Sequence, residues 1–413
     1  MLGLLARLSS IAATAPARPL PARAQMLPRR GKIVRLARAG SLNSKGGAPD
    51  NTHMKTATAR QAGRRLRRGW SGICCTVVVA AAVALAGTAT GQSNGKRNGN
   101  GKAEQPYPVS VSATPLPLNL EDPAQTSVGQ LTYRGGFVLT ANDPNFGGFS
   151  GLLVDPDGRG LLAITDRGYW FSADLVQGGD RLQSLNETYL APILNWRGQP
   201  LESGQRDAEA LARLDGRDGV MIAFEGWDRL WTYPAPTDRS FRTLFPILAQ
   251  PMGGPADLGR QPSNGGVEAM TRLADGRLLM ISEKAVDDDG HNRAWLAAPD
   301  GFSSMAFRAP AGYRPTDAAQ LPDGDVLVLL RRYTPLDGAS AQIVRVPLAD
   351  IAPGAVLEGR TIAALKPPLA VDNMEALAVA TAGNGRTLLY LMSDNNFNAV
   401  QRTLLMCFEL ASG

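Results

Sequence analysis

Beyond residue 148 the hydrophobic and polar positions fall into a pattern that recurs five times. FSGLLVDPDGRGLLAITDRG from Phe149, AEALARLDGRDGVMIAFEG from Ala208, VEAMTRLADGRLLMISEK from Val267, TDAAQLPDGDVLVLLRR from Thr316 and MEALAVATAGNGRTLLYLMSDN from Met374 share one layout. An acid or Ser opens each stretch, followed by a short apolar run, a Gly turn, and a second apolar run that ends in polar or charged residues. Asp-Gly between two such runs predicts a β-hairpin, because its positive φ matches the twist of the paired strands. The leading positions are Ser150, Glu209, Glu268, Asp317 and Glu375, separated by 59, 59, 49 and 58 residues.

A period of this length fits one four-stranded propeller blade per repeat. Segments 229–233 and 241–248 complete the second repeat, and 342–346 and 356–365 the fourth. Only one apolar segment, 403–410, follows the last hairpin. The upstream segment 130–139 (QLTYRGGFVL) supplies the missing outer strand and closes the ring by joining the two ends of the chain. Closure removes exposed sheet edges. The expected fold is an all-β propeller of five blades over residues 129–413; a sixth blade has room only in 174–206.

Ahead of that domain lies a leader of different character. Residues 1–53 are rich in Arg, Ala and Pro without periodicity and read as disordered or as an upstream extension. Residues 54–91 read as a signal peptide: Lys55, Arg60, Arg64, Arg65, Arg67 and Arg68 form a basic start, Ile73 to Ala86 an apolar core, and Ala84-x-Ala86 or Gly87-x-Ala89 a cleavage site. The alternative is an uncleaved N-terminal anchor. Residues 92–128 read as a linker. The expected destination is the bacterial periplasm or the medium, with no stable membrane association once the leader is removed.

Charge divides at the same boundary. The whole chain carries +6, but residues 1–89 hold 15 Lys/Arg and one acid, leaving 28 basic and 36 acidic residues beyond them. An acidic working domain argues against a nucleic-acid partner, which needs a basic footprint. Cys407 is the only cysteine beyond the leader, so no disulfide framework or cysteine-based zinc site can form. The two histidines are His53 and His291, so a Ser-His-Asp triad would rest on His291 alone. No G-x-S-x-G elbow, P-loop, dinucleotide fingerprint or H-E-x-x-H occurs.

The chemistry left to the domain is acidic. Hairpin arms of nearly equal length bring the residue entering the first strand beside the residue leaving the second. This pairs Ser150 with Asp166, Glu209 with Glu225, Glu268 with Glu283, Asp317 with Arg331, and Glu375 with Asp394. If each first strand lines the central channel, Ser150, Glu209, Glu268, Asp317 and Glu375 ring one mouth of it. Crowded carboxylates raise one another's pKa unless a cation sits among them, and all-oxygen ligands suit Ca²⁺ or Mg²⁺. The plainer alternative is that each acid caps backbone N–H groups of the next blade. Asp166, Arg167, Glu283 and Arg331 are the expected catalytic set, the carboxylates orienting water and the arginines, with Arg332, steadying an oxyanion. His291 lies in the acidic loop 287–293, and Trp170, Trp227, Trp231 and Trp295 follow the hairpins as packing residues or pocket walls.

The runs FGGFSGLLVDPDGR…ITDRG, RDAEALARL…FEGWDRLWTY, NGGVEAMTRLADGRLL, YRPTDAAQLPDGDVLVLLRR and DNMEALAV…SDNNFNAVQRTLL resemble the phytase-like proteins described by an esterase-like activity of phytase. The similarity extends from Leu131 to the C-terminus. It implies an exported bacterial propeller with several characteristic Glu and Asp positions, and hydrolysis of phosphoesters or esters. By fold analogy, calcium-dependent nucleotidase and gluconolactonase-type propellers place an ion near what are here Glu209, Glu268 and Glu375. Three functions follow as expectations: a cation-dependent hydrolase of a small phosphorylated substrate, a cation-dependent esterase or lactonase, or an exported binding propeller whose ion only staples the ring.

Overall fold

The five repeats pair internally before they pair with anything else, and each builds one sheet. The computed structural model describes residues 105–214, 218–237 and 240–411; the expected leader and the start of the linker lie outside them. The first blade is formed by Phe149–Val154, Gly160–Thr165, Tyr169–Gly178 and Arg181–Pro192, and the second by Ala208–Arg213, Gly219–Phe224, Arg229–Pro234 and Gln250–Met252. The third contains Val267–Arg272, Leu278–Val286, Asn292–Ala298 and Gly301–Phe307. The fourth contains Arg314–Gln320, Val326–Thr334, Gly338–Val346 and Arg360–Leu365. In the fifth, Asn373–Thr381, Thr387–Asp394 and Thr403–Leu410 are joined by Leu131–Ala141 from the other end of the chain.

That last pairing is the expected closure, with Thr403 opposite Leu139 and Leu410 opposite Leu131. Segment 174–206 holds no sixth blade, because the long outer hairpin of the first blade takes up most of it. Two strand expectations fail in detail. Phe241–Leu244 is a 3-10 turn capped by the Ser240 hydroxyl, so the outer strand of the second blade is Gln250–Met252. Val356–Leu357 pairs in parallel with the third blade, leaving Arg360–Leu365 as the outer strand of the fourth. Part of the expected linker is built into the sheets: Tyr107–Pro108 lies outside the first blade and Val111–Pro115 outside the fifth. Both edges at the closure are thereby covered. Among the described residues no helix is long and apolar enough to cross a membrane.

The core is divided into five layers, one between each pair of neighbouring blades. Trp170 and Tyr233 meet edge to face, 5.2 Å apart, between the first and second blades. Met221, Met280 and Trp295 fill the next layer, Phe307 and Val328 the one after, and Leu329, Leu391 and Phe408 the fourth. Phe149, Phe171 and Tyr390 close the circle. Each sheet is thus buried on both faces, so its strands read as continuous apolar runs such as GVMIAF rather than as an alternation.

Phe408, fully buried, packs at 5.3 Å against Tyr133 and so binds the last strand to the first part of the chain. Phe408→Ala is expected to cost about 3–5 kcal/mol in equilibrium denaturation, the usual cost of emptying a packed aromatic site. A loss below about 1 kcal/mol would mean that this contact does not hold the ring shut.

Candidate functional site

The innermost strands of all five blades line an axial cavity of ≈ 220 Å³, with Leu152, Leu211, Met270, Ala318 and Leu377 in its wall and Arg213 and Arg272 at one end. The acidic mouth lies at the other end, where the innermost strands begin. Its geometry depends on a feature repeated in every blade. One residue of each innermost strand is bulged out of the ladder: Ser150, Glu209, Glu268, Thr316 and Glu375. A bulge leaves one residue unpaired and re-aims its side chain, a device common beside active sites.

The bulge corrects the alignment of the fourth repeat. Thr316, not Asp317, is the counterpart of the leading residues, and from it the step to Glu375 is again 59. Thr316 donates its hydroxyl to the Met374 carbonyl at 3.0 Å. Asp317 sits one place further on, opposite Leu329, where Oδ1 accepts the Ala318 N–H and Oδ2 the Leu377 N–H, both at 2.7 Å. Asp317 therefore leaves the expected ring and ties the fourth blade to the fifth, as the capping alternative describes. Glu268 and Glu375 belong to the mouth, as do Glu209 and Ser150.

The partners across each hairpin also differ from expectation. Because the leading residues are bulged, the residues opposite the ends of the second strands lie two positions before the bulge. The Asp166 N–H bonds the Gly148 carbonyl (2.8 Å), the Glu225 N–H the Asp207 carbonyl (2.9 Å), and the Glu283 N–H the Gly266 carbonyl (2.9 Å). Arg314 faces Arg331 and Asn373 faces Asp394. Asp207 thus joins the site, a residue that hairpin arithmetic passed over. Its signal in the sequence is the Asp-x-Glu step onto the bulged Glu209. Gly148 is needed where it stands: its φ is +61°, and a Cβ there would lie 2.2 Å from Asp166 Oδ1.

Electrostatically the mouth has two halves. In one, the Arg331 guanidinium lies 2.9 Å from Glu283 Oε1 and 2.9 Å from Glu375 Oε1, while Lys284 Nζ is 3.0 Å from Glu283 Oε2. Asn373 also donates to Glu375 at 2.6 Å. Burial works against the Arg331 charge, yet Glu375, Glu268, Glu283 and Glu209 hold its pKa above the ordinary value. Burial pushes Glu375 up to about 8, against the pull of Arg331. With both oxygens of Glu283 facing cations, and Arg331 held between two carboxylates, neither is placed for the water-orienting or oxyanion role expected of it.

In the other half, Asp207, Glu209 and Glu225 bring one carboxylate oxygen each to within 4.8 Å of one another. Glu225 Oε2 accepts the Gly266 N–H at 2.9 Å. Burial, then Glu268, Asp207 and Glu225, hold Glu209 well above the carboxylate range, and its side chain hydrogen-bonds to that of Asp207. Glu268 is 7% exposed and makes no hydrogen bond or ion pair among the described residues. Burial, Glu283 and Glu375 raise its pKa strongly. No described Lys or Arg pairs with Asp207 or Glu209. Carboxylate oxygens alone, with one buried and unpartnered acid alongside, fit a hard divalent cation.

Asp166 stands beside both halves. Burial, Asp394 and Asp207 push it up to about 7, against Arg167 and Arg206, and its Oδ1 is buried without a hydrogen-bond partner. Burial lifts Asp394 to about 6, opposed by the Asn396 N–H at 2.7 Å. Arg167 is not the expected clamp: it stacks 3.4 Å above the Phe397 ring and donates to the Pro144 carbonyl. Arg206, which the sequence did not single out, also pulls the Asp166 pKa down and has no pairing of its own among the described residues. Arg332 pairs with Asp337 at 3.2 Å. Trp170, Trp231 and Trp295 are buried packing residues, and Trp227, two residues past Glu225, is half exposed. His291 lies outside the mouth, accepting from Arg308 at 3.1 Å, and with Asp287 and Asp289 it forms a second group whose ligand atoms lie within 4.8 Å of one another.

A family model described as "Esterase-like activity of phytase" (phytase-like) matches residues 144–397. No curated protein matches the chain. Similar solved structures include a gluconolactonase from Xanthomonas campestris, 10% identical over 73% of this chain and 99% of that one, with a TM-score of 0.36. AofleA from Arthrobotrys oligospora is 8% identical over 74% and 91%, with a TM-score of 0.35. Hydrazine synthase from Kuenenia stuttgartiensis is 11% identical over 61% of this chain, which spans 58% of that one, with a TM-score of 0.30.

The raised acids fix the sign of the pH dependence. Asp166, Asp394 and Glu375 bind protons more tightly folded than unfolded, so their contribution to stability is complete below the ordinary carboxylate range. It is lost as pH climbs through about 6 to 8. Without added divalent cation the melting temperature is expected to fall between pH 5 and pH 8, and Asp166→Asn to flatten the fall near pH 7. A melting temperature that rises across that range contradicts the assignment.

Proposed function

This chain belongs to the phytase-like family, and from that premise we propose that it is an exported hydrolase of small phosphoesters that holds one divalent cation, Ca²⁺ or Mg²⁺. The observation that carries this reading is the carboxylate triad of Asp207, Glu209 and Glu225, which forms no ion pair with a described Lys or Arg and is bordered by Glu268, buried and without a hydrogen bond among the described residues. A cation bound there would polarise a phosphoryl oxygen and lower the pKa of a bound water.

The chain's own residues do the rest. Asp166, titrating near neutrality, takes a proton from the attacking water and returns one to the leaving alcohol; its pKa of about 7 suits both transfers. Arg206 pairs with the phosphate oxygens that Asp166 itself would repel. Trp227 offers an apolar wall at the rim of the mouth. Bulges keep the side chains of Glu209 and Glu268 fixed in direction, so little ordering is left for substrate binding to supply.

The test is turnover of p-nitrophenyl phosphate and p-nitrophenyl acetate by the chain with added Ca²⁺ or Mg²⁺, beside Glu209→Gln and Asp166→Asn. Phosphate release that requires the cation is expected. Glu209→Gln should weaken cation affinity by at least about tenfold, the smallest loss usual even for outer partners of a metal site. Asp166→Asn should lower kcat by about 10²-fold or more with cation affinity retained. Turnover of the acetate ester alone identifies an esterase. Silence with both substrates, with the cation still raising the melting temperature, identifies a binding propeller.

A further inference from the structure

The acidic mouth already contains a cation of its own, and its position breaks the five-fold pattern. At the end of the second strand four blades carry an acid, Asp166, Glu225, Glu283 and Asp394, whereas the fourth carries Arg331. Its guanidinium bridges Glu283 and Glu375 across two neighbouring blades, 2.9 Å from one oxygen of each. Only about a quarter of the side chain is exposed. Arg314, opposite it in register, adds a second guanidinium 3.6 Å from the same Glu283 oxygen.

A divalent ion in this half would need several oxygens at about 2.3–2.6 Å from itself. The inner oxygens of Glu283 and Glu375 each face a guanidinium N–H, and Glu283 Oε2 faces Lys284. An ion entering here would meet a fixed positive charge that cannot be shed by deprotonation. In the triad half no described guanidinium or ammonium forms an ion pair with Asp207, Glu209 or Glu225.

We infer that Arg331 takes the place of a second metal ion, so the mouth binds one divalent cation on Asp207, Glu209 and Glu225 and is neutralised on its other side by the protein itself. This rests on the cation reading of the triad. It adds the number of ions and the residue that sets it.

The test counts Ca²⁺ bound per chain by native mass spectrometry and calorimetric titration of the full chain, wild type and variants, all carrying Asp287→Asn and Asp289→Asn so that the loop group of Asp287, Asp289 and His291 is not counted. Wild type is expected to bind one ion, Arg331→Lys one, and Arg331→Met two, with Ca²⁺ raising the melting temperature of Arg331→Met more than that of wild type. Glu283→Gln, a milder change on the same side, should still bind one ion with affinity within about twofold of wild type. Two ions in wild type, a single ion in folded Arg331→Met, or loss of the ion in Glu283→Gln overturns the inference. If wild type binds none and Arg331→Met binds one, the triad reading fails while the role of Arg331 stands. If neither binds an ion, both fail. Should Arg331→Met not fold, Arg331→Gln, which also removes the charge, takes its place and is expected to bind two ions, a single ion again overturning the inference.

Discussion

Carboxylates gathered away from water repel one another, and the closed ring of blades gives them no room to part. At the mouth of this propeller Asp166, Asp207, Glu209, Glu225, Glu268, Glu283, Glu375 and Asp394 converge from four of the five blades. Their placement is imposed by strands packed on both faces, so relaxation would have to come from the whole ring. Repulsion is met instead in three ways. Protons stay on some acids, which is what raised pKa values mean. Arg331 and Lys284 cancel charge on one side. On the other, Asp207, Glu209 and Glu225 bring together oxygens of the kind that suit a divalent cation.

The fold exists to deliver those side chains, and the delivery runs through local backbone chemistry. An Asp-Gly or Gly turn at the far end of the first, third, fourth and fifth hairpins fixes their register, and a bulge at the near end turns Glu209, Glu268 and Glu375 out of the ladder. Gly148 lets the chain pass close by Asp166, and Gly147 close by Asn395. Where a bulged position carries Thr316, its hydroxyl is used for a bond between blades and no acid reaches the mouth from that strand. The same repeat supplies Arg331 instead of an acid. The fourth blade is therefore the one that supplies no acid at either position, and the charge balance of the mouth follows from that difference.

Much of this was legible in the sequence. Hairpins were marked by turns between apolar runs, and the blade count and closure followed from spacing and from the missing outer strand. The leading acids were legible as a set because one acid or Ser stood at each entry. What escaped had physical reasons. A bulge adds a residue to one arm without altering composition, so equal arm lengths misaligned Asp317 by one place and hid Asp207. Ion pairing between blades is a contact between distant parts of the chain, so the capture of Arg331 by Glu283 and Glu375 could not be read from either hairpin alone. Arg167 sat beside an expected site acid, but stacking on Phe397 took it away. The 3-10 turn at Phe241–Leu244 kept an apolar content that suits a strand equally well.

A divalent ion bound by Glu209 and its neighbours must displace protons from those acids. Calorimetric titration with Ca²⁺ near pH 7, repeated in buffers of different ionisation enthalpy, counts them directly. The account predicts binding accompanied by release of about one proton or more per ion. Binding with no proton released, or no binding at all, would contradict it.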